Sequence, residues 1–83
     1  MVHKVYEMKY GNREKFRTAV LAIGGEPLNN PDSAPYNGVA YYRSNNPEGS
    51  ILDDGHFKVT ISANSKERVE EIRSKLESKL KEK

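Results

Sequence analysis

The chain has 83 residues, 35% of them hydrophobic and 31% charged, a net charge of +2, two histidines, and neither cysteine nor tryptophan. That length supports one domain with a modest core, and the lack of cysteine excludes a disulfide framework, a thiol nucleophile and thiolate zinc sites. No apolar run approaches the ~20 residues of a membrane span, and Met1-Val2-His3-Lys4 leads straight into strand-like sequence with no signal-peptide core. A cytoplasmic protein with no membrane partner is the expectation.

Val2 to Tyr10 reads as a first strand, free of Gly and Pro. Lys4, Tyr6, Met8 and Tyr10 share one face, while Val5 lies on the other beside His3, Glu7 and Lys9. Apolar groups on both faces suggest a central strand or a covered outer face. Asn12 is positioned to cap a helix of about three turns. Phe16, Ala19, Val20 and Ile23 form its apolar face, and Arg13, Lys15 and Arg17 point to water. Gly24-Gly25 ends it, because the residue after the last turn favours positive φ, and Pro27 blocks resumption.

Leu28 to Gly38 has loop chemistry throughout: Asn29, Asn30, Pro31, Asp32, Ser33, Pro35, Asn37 and Gly38. Val39 to Arg43 returns to strand character, with Ala40 and Tyr42 on one side and Val39, Tyr41 and Arg43 on the other. Ser44 to Ser50 again reads as a turn. Ile51-Leu52 suggests a short strand turning at Asp54-Gly55. Asn29-Asn30-Pro31-Asp32 and Asn45-Asn46-Pro47-Glu48 share turn chemistry without amounting to a repeat.

Phe57, Val59 and Ile61 then alternate with Lys58, Thr60 and Ser62, the pattern of a half-buried strand. Asn64 is placed to cap a long helix, with Glu67 reaching back to it. Val69, Ile72, Leu76 and Leu80 make a narrow apolar stripe among charges. Glu71–Lys75 and Glu77–Lys81 are favourable i, i+4 pairs, and the residues past Leu80 are expected to fray. The sum is a single α+β domain over residues 1–83. It is a β-α-β-β-α sandwich with a small antiparallel or mixed sheet of 3–4 strands and two helices on one face. That element order resembles the ferredoxin-like split βαβ arrangement without its last strand.

Charge is unevenly spread. Residues 1–18 carry five basic groups against two acids, net +3; residues 19–63 two against five, net −3; residues 64–83 seven against five, net +2. No Gly-x-Ser-x-Gly elbow carries a serine, and Gly24-Gly25 closes a helix where a phosphate loop would open one. Asp53, Asp54 and His56 are close in sequence, and His3 would approach His56 if the first and last strands ran parallel. Those few ligands make a weak metal set. The expectation is a protein with no enzyme activity, no cofactor and no metal.

Two binding readings follow. The first is a protein-interaction module using the Pro/Asn-rich loops, through Asn30, Asp32, Tyr36, Asn37, Asn46 and Glu48, or using the open face of the sheet. The second is a nucleic-acid-binding domain using Lys4, Lys9, Arg13, Arg17, Tyr41 and Arg43, in which tyrosines stack bases and basic groups track phosphates.

Overall fold

A computed structural model of the chain describes residues 1–35, 37–45 and 47–81. The expected contact residues Tyr36 and Asn46, and the expected fraying at 82–83, lie outside the described residues. The elements run β1 (Val2–Glu7), α1 (Arg13–Ala22), β2 (Glu26–Pro27), β3 (Ala40–Asn45), β4 (Glu48–Asp53), β5 (Lys58–Ala63) and α2 (Lys66–Lys81). The five strands form one sheet in the order β1-β5-β4-β3-β2, and every pairing is antiparallel.

The α+β class, the antiparallel sheet and the two helices agree with the sequence reading, but the number and order of the strands do not. The sheet holds five strands among the described residues, against the 3–4 expected, and its order departs from the ferredoxin-like one. The first strand lies antiparallel to the last strand, at the edge of the sheet. His3 and His56 therefore sit at opposite ends of β5, with His3 bonded to Ser62 (2.6 Å). Ser44–Ser50, expected as a turn, is mostly strand, because Asn45 pairs with Glu48 and the Ser44 hydroxyl satisfies the Pro47 carbonyl at 2.8 Å.

Alternation along the strands divides the sheet into two faces. Val59, Ile61 and Ala63 line one face with Ile51 and Asp53 of the neighbouring β4, which in turn lie beside Tyr42 and Ala40 of β3. All are buried. Both helices lie on this face: Phe16, Ala19 and Val20 from α1, and Val69, Ile72, Leu76 and Leu80 from α2. Gly49 lets α2 come close to β4, since a Cβ there would meet the Ile72 side chain at 2.8 Å.

Caps set the helix boundaries. Asn12 Oδ1 accepts the Lys15 N–H at 2.8 Å, as its position suggested, and Gly24 takes φ +87° just past α1. At α2 the cap is Ser65, one residue later than expected. Its hydroxyl accepts the Arg68 N–H at 3.3 Å, and its carbonyl accepts the first helical bond from Val69. The expected Glu71–Lys75 pair forms at 3.2 Å.

Two expectations about burial fail. Phe57 does not enter the core with Val59. It lies in the turn before β5 at φ +65°, is 45% exposed, and meets Tyr10 edge-on at 5.1 Å. Val5 sits on an edge strand with nothing over it, 65% exposed.

The two faces should respond differently to substitution. Val59→Asp places an uncompensated charge in the core and is expected to abolish the cooperative melting transition. Val5→Thr, of similar shape on the uncovered face, should change stability by no more than ~0.5 kcal/mol in denaturant titration.

Candidate functional site

The face away from the helices is the first candidate. Strand register aligns Val5 with Thr60, Thr60 with Leu52 and Leu52 with Tyr41. Leu28, just past β2, bonds the Tyr41 carbonyl through its N–H at 2.8 Å and is 53% exposed. A row of Val5, Thr60, Leu52, Tyr41 and Leu28 thus crosses the whole sheet. At ~4.8 Å between strands it is about 19 Å long. Polar residues flank it on both sides. Arg43 and Lys58 are set against Glu7, Glu26 and Glu48, and Arg43 is already paired with Glu26 at 3.3 Å.

The two predicted loops do not form one surface. Asn30, Asp32 and Asn37 precede β3, whereas Glu48 follows it across the β3–β4 hairpin. They sit at opposite ends of a six-residue strand, about 17 Å apart at ~3.3 Å per residue. The basic set is divided as well. Tyr41 and Arg43 belong to the open face, while Lys4 is in register with Ile61 on the helix face. Arg13 and Arg17 lie on α1, and Lys9 follows β1 near the end of α2.

Packing does unite members of the two sets in a second candidate site. Arg13, Glu14, Arg17 and Leu21 of α1 face Pro27, Asn30, Pro31 and Asp32 across a cleft of about 400 Å³ that Tyr42 also lines. The loop forming the far wall is held in place. Asn29 donates to the Val39 carbonyl (2.7 Å) and accepts the Tyr41 N–H (2.7 Å). The Gly38 N–H bonds the Pro31 carbonyl (2.7 Å), and Arg13 Nη2 bonds the Gly38 carbonyl (2.9 Å). Arg13 Nη1 approaches Asp32 only to 3.8 Å, with the Asp32 side chain 86% exposed. Burial pushes the Tyr42 hydroxyl pKa up, helped by the Asp53 charge and opposed by Arg13 and Arg17.

Asp53 and Tyr10 form a buried polar pair at the same end of the sheet. The Tyr10 hydroxyl donates to Asp53 Oδ1 at 2.6 Å, and the Gly55 N–H donates to the same oxygen at 3.0 Å. Asp53 Oδ2 is buried without a partner among the described residues. Burial first, then the bond to Asp53, raises the Tyr10 pKa well above the ordinary phenol value. Asp54 is used locally, its Oδ1 accepting the His56 and Lys58 N–H groups at 2.7 and 3.2 Å. Among the described residues no three His, Asp or Glu side chains converge as a metal site requires.

On α2, Glu70 accepts from the Tyr6 hydroxyl (2.7 Å) and from Arg73 Nε (3.0 Å), and the Arg73 guanidinium lies 5.4 Å from the Tyr6 ring centre. The bond from Tyr6, then that from Arg73, holds the Glu70 carboxyl below its ordinary value of 4.5. This ties the edge strand to the helix layer. No helix among the described residues is long and apolar enough to cross a membrane. Comparison with protein-family models, with curated proteins and with solved structures finds no match to this chain.

Two outcomes test these clusters. Tyr10→Phe removes the donor from a buried carboxylate and should cost about 1.5–3 kcal/mol in denaturant titration. The Glu70 pKa is lower folded than unfolded, so its contribution is complete above the unfolded value and is lost as pH falls through the folded one. Below pH 4.5 the wild-type melting temperature should fall more steeply than that of Glu70→Gln.

Proposed function

We propose that this chain is a non-enzymatic interaction module that docks another protein on the open face of its sheet. The observation that carries the reading is the continuous row of Val5, Thr60, Leu52, Tyr41 and Leu28 on a face that neither helix covers. Burying it would remove apolar surface from water at roughly 25 cal/mol per Å². The molecule spans 32 × 30 × 21 Å, and an ellipse on its two longer axes covers about 750 Å². That area is comparable to the ~800 Å² per partner of a standard interface. An apolar centre with a polar rim is the usual anatomy of such a surface.

Charge favours protein over nucleic acid here. Beside Tyr41 the face offers Arg43 and Lys58 against Glu7, Glu26 and Glu48, an acidic excess that repels phosphate. The remaining members of the basic set, Lys4, Lys9, Arg13 and Arg17, lie off this face. Stacking of bases on Tyr41 would therefore lack the basic track that such binding needs.

A photo-crosslinking residue at Thr60, compared with one at Ser74 on the exposed side of α2, tests the assignment in native lysate. The expected result is discrete, nuclease-resistant protein adducts at Thr60 alone, lost when Leu52→Glu is added to a chain that still melts normally. Equal labelling from Ser74, or adducts that vanish with nuclease, would reverse the reading.

A further inference from the structure

We propose that the cleft between α1 and the 28–38 loop binds the phosphate group of an organic phosphate monoester, independently of the sheet face. Its volume of about 400 Å³ falls in the range of small-ligand clefts, roughly 300–1,000 Å³. Three groups on its walls have donors that no close anion among the described residues meets.

Arg13 and Arg17 are one helical turn apart, where like charges destabilise each other. No described carboxylate comes within ion-pair distance of Arg17. Arg13 gives one guanidinium nitrogen to the Gly38 carbonyl at 2.9 Å, and its ion pair with Asp32 is long, at 3.8 Å and largely in water, which contributes little. The third group is Tyr42. It is 3% exposed and lines the cleft, and no hydrogen bond from a described residue reaches its hydroxyl. That hydroxyl is not among the enclosed atoms left without a partner, so solvent reaches it and a ligand oxygen would take the place of water there.

The Arg17 guanidinium, the Arg13 nitrogens not bonded to Gly38 and a phenol hydroxyl bring several N–H and O–H donors to one cleft. That suits a tetrahedral dianion with three terminal oxygens better than a planar carboxylate with two. The acids at the rim, Glu14 and Asp32, oppose a polyanion, which favours one phosphate over a nucleic-acid strand. Leu21, Pro27 and Pro31 supply an apolar wall for the rest of the ligand. The loop bonds made by Asn29, Gly38 and Arg13 hold that wall in place before anything binds, which lowers the ordering cost.

The test is an NMR titration of the whole chain with phenyl phosphate, inorganic phosphate and benzoate, following backbone amides and the arginine Nε–H groups. Phenyl phosphate should give saturable shifts confined to Arg13, Arg17, Asn30 and Tyr42, and should bind more tightly than the other two. Arg17→Ala should weaken it about tenfold through loss of a charge-assisted contact. Asp32→Asn should tighten it about two- to threefold, since an exposed competing carboxylate is removed. Tyr42→Phe should weaken it while the melting transition is retained. Equal affinity for inorganic phosphate would contradict the organic monoester, and equal affinity for benzoate would contradict phosphate. The absence of saturable shifts in the cleft, or an unchanged affinity in Arg17→Ala, would overturn the site altogether.

Discussion

Both apolar stripes in this molecule are laid on the same face of the same sheet, and most of its other features follow from that constraint. Phe16 and Val20 from one helix, and Val69, Ile72 and Leu76 from the other, close over Val59, Ile61 and Ile51. With only two helices, the second face of a five-stranded sheet has no cover within the described chain. A small domain with one-sided burial has limited apolar surface to stabilise it. This explains the use of polar ties at the edges of the layer, such as Tyr6 with Glu70 and Tyr10 with Asp53.

The Asp53 pair shows how the fold accommodates a charge in its core. Asp53 ends β4 on the helix face, next to Val59, where alternation would place an apolar side chain. Its carboxylate instead gathers the Tyr10 hydroxyl and the Gly55 N–H, joining the segment after β1 to the turn before β5. The same turn holds Phe57 against Tyr10, and Tyr10 against Phe16 at 4.9 Å. One oxygen thereby organises three chain segments at the end of the sheet where the cleft also opens. The second oxygen has no partner among the described residues, and such a group is a local destabilising element.

Local pattern in the sequence carries much of this architecture. The Val59–Ile61 alternation, the α2 stripe, the Asn12 cap and the Gly24 stop all depend on neighbours a few residues away. What depends on distant partners was not readable in that way. The alternation continues back to Phe57 in sequence, but a positive-φ turn interrupts the strand there. Asn-rich turn chemistry at Ser44–Ser50 concealed two strand ends, because Asn45 and Glu48 gain their extended conformation from pairing with each other. Strand order is set by long-range contacts, so the placement of β1 beside β5 left no local trace. The cleft is similar: Arg13, Arg17, Asn30 and Asp32 were all visible as candidates, but in two separate sets. Only the packing of the 28–38 loop against α1 brings them together.

One-sided burial is the claim on which the fold and the proposed docking face rest, and solvent relaxation of methyl groups measures it directly. A soluble paramagnetic agent added to dilute, methyl-labelled protein should strongly broaden Val5, Leu28 and Leu52, and leave Val59, Ile61 and Ile51 sharp. Protection of Val5 and Leu52 at dilution, with broadening of Val59 or Ile51, would contradict the account.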